Sequence, residues 1–421
     1  MLIKASVGES LEVSELKAGK EAAEEALAGM PGEKPDFCFV FCSFKYDPSS
    51  LLEAIKEKVG PIPMIGCTTS GEITGKGIKS GSVVLLLLKS PLLRFVTAMG
   101  EGVGENPRKA GREAALRSLS LIGADGKLAP QFLIRDEISE FSLITPHHMI
   151  VLLDGVKADG ANVVNGFVDV LGYNFPIIGG AAGDDLNFEK TYQFCNWKVY
   201  TNSVVSVLVS SGLMSGFGVA HGLIPISRGF IVTKSEGNIV YTLDEKPAIE
   251  VYKDYIKGEE AQPLTKGKLY MLPPLGIPTI EGEYLLRQPF FLGKDGAIVF
   301  AGEVAQDAAV RIMKGEKGDF IDAAKKALKN ALLCAGKPDK VAAALIFECK
   351  GRHLVLGDEA QTELALIKEM LGENTPIIGL HTYGEVAPLR GTKALFHNFS
   401  LVIYVISNIK FRDKILKCIL I

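Results

Sequence analysis

The chain has a single tryptophan, no CxxC pair and no long apolar run. Its longest strongly hydrophobic stretch is VVLLLL (Val83–Leu88), far short of the roughly 20 residues a membrane-spanning helix needs. That stretch reads as a buried strand. The opening MLIKASVGES lacks the basic segment and apolar core of a secretion signal. Seven cysteines, an odd number scattered from Cys38 to Cys418, suit free thiols in a reducing compartment better than a disulfide framework. A cytoplasmic protein without membrane insertion is therefore expected. Charge of one sign is not in excess either. The net charge of −3 gives no basic surface for nucleic acid, and none is expected as a partner.

Catalytic signatures are missing as well. GEITGKGIKS lacks the Walker A spacing, GEGVGEN lacks the GxGxxG interval, and no GxSxG elbow occurs. The six histidines, His147, His148, His221, His353, His381 and His397, show no metal-ligand spacing. No cofactor, metal or catalytic residue is assigned. What remains is an ordinary globular composition, 47% hydrophobic and 23% charged, in 421 residues with room for two or three domains.

The chain repeats itself. PMIGCTTSGEI (63–73), PIIGGAAGDDL (176–186) and PIIGLHTYGEV (376–386) align without gaps and share an acid: Glu72, Asp185 and Glu385. Upstream of each lies an apolar strand candidate, FCFVFCSF (37–44), MIVLLDG (149–155) or AALIFECKG (343–351). A helix-period stretch follows each strand: 49–59, 161–171 and 359–371. These end at Gly60, Gly172 and Gly372. Downstream lie SVVLLLL, SVVSVLVSS and FSLVIYVI. The unit is strand, helix, motif strand, strand, with a parallel crossover and an antiparallel last strand.

Residues 94–119 and 310–332 extend the second and third copies backwards by a strand and a helix. Between Gly216 and Asp307 the pattern changes to short strands and one helix at 246–256. The fold class is mixed α+β (α/β), mixed sheets with packed helices, in two regions, 1–222 and 223–421. The tail KFRDKILKCILI (410–421) is amphipathic and expected to dock on its own protein.

Glycine after a strand lets a ligand or another backbone come close, and exposed N–H groups there can hold an anion. The loop candidates are Gly66, Cys67, Thr68, Thr69, Gly71 and Glu72 in the first copy and Gly179, Gly180, Asp184 and Asp185 in the second. The competing reading is a structural corner whose carboxylate caps backbone N–H groups. The third copy is richer, with His381, Thr382, Tyr383, Gly384 and Glu385 together. Cys67 aligns with Gly180 and Leu380, so the loop requires no thiol. Cys349 is the better nucleophile candidate, with Arg352 and His353 nearby to lower its pKa, against the alternative of a buried strand-end cysteine.

With these motifs in view, the chain resembles the FIST family of sensory proteins. The matching residues are IGCTTSGEI, FPIIGGAAGDD, FECKGR, TYGEVAP with a later HN, GFIVTKSEGN with LDEKPAIEVY, and YLLRQPFFLGKDGAIVFAGEV. They lie in the expected order over nearly the whole chain. The resemblance implies an N-terminal FIST region with two motif copies and a C-terminal region with the third. It also implies prokaryotic intracellular sensing of small ligands such as amino acids, with the signal passed on. Family members are often joined to kinase, cyclase or chemoreceptor parts, so a chain that is FIST throughout is expected to signal through a separate protein.

The expected ligand site comprises Arg287, Cys349, Arg352, His381, Thr382, Tyr383, Gly384, Glu385, His397 and Asn398. Arg352 or Arg287 would pair with a ligand carboxylate, Glu385 would accept an amine, and His397 and Asn398 would line the pocket. Alternatives are a hydrolase or transferase using Cys349, and a protein-binding scaffold.

Overall fold

The computed structural model describes residues 2–123, 132–135, 141–256, 269–279 and 282–413, and they form one unit three times over plus an insertion. The first unit comprises β1 (Lys4–Ser10), α1 (Glu15–Ala28), β2 (Phe37–Ser43), α2 (Pro48–Val59), β3 (Met64–Thr69), β4 (Glu72–Thr74), β5 (Gly77–Lys79) and β6 (Val83–Lys89). The second comprises β7 (Leu93–Glu101), α3 (Pro107–Ile122), β8 (His147–Leu153), α4 (Gly160–Leu171), β9 (Ile177–Ala181), β10 (Gln193–Cys195), β11 (Lys198–Tyr200) and β12 (Ser203–Ser211). The third begins with β13 (Leu213–Ala220) and resumes with α5 (Lys317–Cys334), β14 (Val341–Cys349), α6 (Lys350–Leu356) and α7 (Glu359–Leu371). It ends with β15 (Ile377–Thr382), β16 (Glu385–Pro388), β17 (Ala394–His397) and β18 (Leu401–Lys410).

Local chemistry sets these boundaries. Asp47 and Asp159 cap α2 and α4 by accepting the backbone N–H of Ser50 and Asn162. As expected, α2, α4 and α7 end where Gly60, Gly172 and Gly372 take positive φ. The β2–β3, β8–β9 and β14–β15 pairs are parallel across their helices, and β6, β12 and β18 return antiparallel.

No unit completes its own sheet. The second unit's β10–β11 hairpin pairs onto β3 of the first, the third unit's β16–β17 onto β9 of the second, and the first unit's β4–β5 onto β15 of the third. Three six-stranded sheets result, ordered β1-β6-β2-β3-β10-β11, β7-β12-β8-β9-β16-β17 and β13-β18-β14-β15-β4-β5. Their inner faces share one core, with Phe39 and Ile65, Leu152 and Ile178, and Phe347 and Leu380 in a single cluster. The helices cover the outer faces. They sit very close: a Cβ on Gly8, Gly100 or Gly218 would lie 1.9, 2.0 or 1.9 Å from the carbonyl oxygen of Ala22, Ala110 or Ala327. Alanine-rich helices and glycine-bearing edge strands are thus two halves of one packing solution.

The backward extension needs correction in the third copy. Its helix is α5, but the strand before it, Ala309–Lys314, lies in the nine-stranded sheet of the insertion. The matching strand is β13, on the far side of residues 221–316. The first copy has the extension too, as β1 and α1. A strand pattern reports extended backbone and not the partner it pairs with. The insertion carries the helix Ala248–Tyr255 and its own core, with Val232, Tyr252, Ile298 and Ile312 buried together. Residues 414–421 of the amphipathic tail lie outside the described residues.

Candidate functional site

The hairpin exchange brings the three motif loops to one place. Ser70 N–H donates to the His381 carbonyl at 3.1 Å, Gly183 N–H to the Thr68 carbonyl at 3.0 Å, and Ala181 N–H to the Gly384 carbonyl at 2.7 Å. Each loop is therefore bonded to both others. The glycines make room: a Cβ on Gly183 would lie 2.4 Å from Ser70 Oγ, and one on Gly180 2.6 Å from the Thr382 methyl.

Glu72 and Glu385 are not open to a ligand. Both are buried. Glu72 accepts the Ser82 N–H and hydroxyl at 3.0 and 2.7 Å and the Thr69 hydroxyl. Glu385 accepts the Thr382 hydroxyl at 2.5 Å and the Ser400 N–H at 3.0 Å. Burial raises their pKa values to about 7 and about 8, against the pull of these donors. The two acids are capped corners, so Glu385 is not placed to receive an amine.

The arginines are also occupied. Arg352 is fully buried, with Nη1 on Glu348 at 2.7 Å and Glu363 at 2.8 Å and Nη2 on the Phe320 carbonyl at 2.8 Å. Burial alone would lower its pKa, but Glu363 and Glu348 reverse this and hold the guanidinium charged. Arg287 donates to the carbonyls of Glu303, Leu286 and Phe396, so it ties the insertion to β17. Burial lowers its pKa to about 10. Neither arginine has a free fork for a ligand carboxylate.

His397 Nε2 meets the Ala387 carbonyl at 2.8 Å, and Asn398 Oδ1 accepts the Gln288 N–H at 3.3 Å. Both are braces. Cys349 and Cys67 are buried and their thiols pushed upward, by burial first and, at Cys349, by Glu385. That is the reverse of an activated nucleophile.

The second loop differs. Asp184 is buried and gathers the N–H groups of Phe188, Glu189 and Lys190 at 2.7–3.0 Å and the Tyr383 hydroxyl at 2.6 Å. Asp185, which aligns with Glu72 and Glu385, is exposed at a φ of 56°. It touches the first unit, where Ser43 Oγ donates to its carboxylate at 2.9 Å and Ser70 Oγ accepts its N–H at 3.1 Å. Lys350 of the third unit is half-buried and makes no ion pair among the described residues. Burial lowers its pKa, opposed first by Asp185 and then by Glu348 and Glu72. Phe188 stacks on Tyr383 at 4.9 Å, and Phe290 of the insertion meets Phe188 edge-on at 4.9 Å.

The junction thus offers an exposed carboxylate, an ammonium and an aromatic wall. Sequence reading missed Lys350, Ser43, Ser70, Phe188 and Phe290 as site residues. Lys350 stood inside the matched FECKGR, yet no local pattern separates it from a solvated lysine. A cavity of about 290 Å³ lies elsewhere, lined by His221, Glu283, Asp319 and Lys326.

Folding also joins residues that sequence spacing keeps apart. His353 and His381 stack with ring centroids 3.9 Å apart, and His381 Nε2 lies 3.2 Å from Glu348 Oε2. The absence of metal-ligand spacing in sequence therefore does not carry over to space. One donor atom from each of Glu348, His353 and His381 falls within 4.8 Å of the others.

Fold and junction define a mixed α+β protein of three exchanged units, with a polar, aromatic-walled loop junction and no activated thiol among the described residues. The chain belongs to the FIST family: the FIST N domain matches residues 36–246 and the FIST C domain residues 248–388. FIST domains are generally sensory, ligand-binding domains of signal transduction.

An uncharacterized protein of Methanocaldococcus jannaschii is 26% identical over 81% of this chain, which spans 64% of that relative's length. An uncharacterized protein of Mycobacterium tuberculosis is 25% identical over 94% of this chain and 98% of its own. Among solved structures, a cyanuric acid hydrolase from A. caulinodans matches 96% of this chain and 100% of its own at 9% identity and a TM-score of 0.36, too low to bear on function. No helix among the described residues is long and apolar enough to cross a membrane.

Proposed function

We propose that the chain is a cytoplasmic sensor of a small zwitterionic ligand, an amino acid or close derivative, bound where the three loops meet. One observation carries this reading: Asp185, alone of the three motif acids, is left exposed, and the unpaired Lys350 lies within reach of its field. Asp185 would take the ligand's amine, Lys350 its carboxylate, and Phe188 and Tyr383 would flank the side chain. Asp185 belongs to the second unit, Lys350 to the third and Phe290 to the insertion. A ligand spanning them favours the arrangement that holds them together, and a separate signalling protein would read that preference. The buried Cys349 speaks against a thiol enzyme.

The test is a thermal-shift screen against amino acids, small organic acids and nucleotides, with Asp185→Asn and Lys350→Met alongside. A ligand at 100 times its Kd stabilises the folded chain by about 2.7 kcal/mol. The expected outcome is an amino-acid-like hit lost in both variants. A hit retained by both moves the site elsewhere, and a blank screen on folded protein favours a scaffold.

A further inference from the structure

We infer that Glu348, His353 and His381 form a binding site for a divalent transition-metal ion, zinc being the natural occupant of such a donor set. Two imidazoles and a carboxylate are a known three-residue zinc ligand set, one that leaves the fourth position open to water or another small ligand. The three come from three elements: Glu348 from the end of β14, His353 from the adjoining α6, and His381 from β15, 28 residues further on. Tetrahedral ligands about 2.1 Å from zinc lie roughly 3.4 Å from one another. The 3.2 Å between His381 Nε2 and Glu348 Oε2 already matches that spacing.

A second observation points the same way. The Nδ1 atom of His353 is buried without a hydrogen-bond partner, while His381 is fully buried and turns its Nε2 to Glu348. A buried imidazole nitrogen normally finds a partner, and this orphan beside the His381–Glu348 pair calls for one. Glu348 is prepared for the role. Its Oε1 is held by Arg352 at 2.7 Å, which orients the carboxylate and leaves Oε2 toward the rings.

Arg352 and Lys350 are the cations facing this cluster, while Glu348 and Glu363 oppose them. Stacked rings do not aim both nitrogens at one point. Ion uptake therefore turns His353, the half-buried member, out of the stack, while His381 stays fixed in its strand. His353 also gives the ion a way in from solvent.

The experiment uses the full chain, stripped with a chelator and titrated with Zn²⁺, with Co²⁺ as a spectroscopic probe. The expected result is one ion per chain, with visible ligand-field bands of four-coordinate Co²⁺. His353→Ala should weaken uptake by at least about tenfold, the lower end of what even an outer-shell change costs. That side chain makes no hydrogen bond among the described residues, so the variant is expected to fold, as circular dichroism will verify. Glu348→Gln should weaken uptake similarly. No uptake by folded wild-type protein overturns the proposal, as does uptake unchanged in His353→Ala.

Discussion

The first and third motif loops differ from the second in what their shared acid does. Glu72 and Glu385 turn inward, and each is held by a threonine three residues earlier and a serine from the following strand segment. Asp185 has Ala182 in place of that threonine, and its shorter side chain stays outside. One sequence pattern therefore makes two structural corners and one available carboxylate. A repeated acid is not a repeated function, because the partner three residues away decides whether it is consumed by the fold.

The comparison can be broken most severely in the third unit. Arg352→Met leaves Glu348 and Glu363 buried without their cation and should cost about 3–5 kcal/mol, read as a shifted urea midpoint or failure to fold. Glu385→Ala strands the buried Ser400 N–H, at about 1–3 kcal/mol, while the Thr382 hydroxyl keeps the Glu348 carbonyl at 3.1 Å.

Acidity sharpens the contrast. The folded-state pKa values of Glu72 and Glu385, about 7 and about 8, lie above those of the unfolded chain. Folded protein keeps protons that unfolded protein has released, so the stability they contribute is full below pH about 4.5. It declines as pH rises through 7 and 8. Urea unfolding between pH 5 and 9 should show that decline, and Glu385→Gln should flatten its upper part.

The smallest effect belongs to the open loop. Asp185→Asn keeps a residue that tolerates positive φ and should change stability by less than about 0.5 kcal/mol, while abolishing the ligand response of the thermal-shift screen. A stability loss as large as that of Glu385→Ala would erase the distinction between the loops.

Much of the architecture was readable because it rests on local periodicity. The three motif strands, their helices and the glycine caps follow from residues within a turn or two of one another. The site was less readable. Arg287, Arg352 and Glu385 have the chemistry of ligand contacts, yet burial gave all three internal partners. Asp185 stands out as the second copy's shared acid, but the half-buried Lys350 carries no local pattern that marks it until folding sets it near the loops.

By itself the sequence determined that one strand-helix-strand-strand unit occurs three times, since alternation, capping and turn chemistry act over a few residues. Only the tertiary structure decided that each unit lends its hairpin to another's sheet. It also decided that the loops meet, which acids face inward, and that His353 and His381 stack beside Glu348. Those outcomes depend on which strand edge is left unpaired and which side chains lose water, and both are set by residues up to hundreds of positions away.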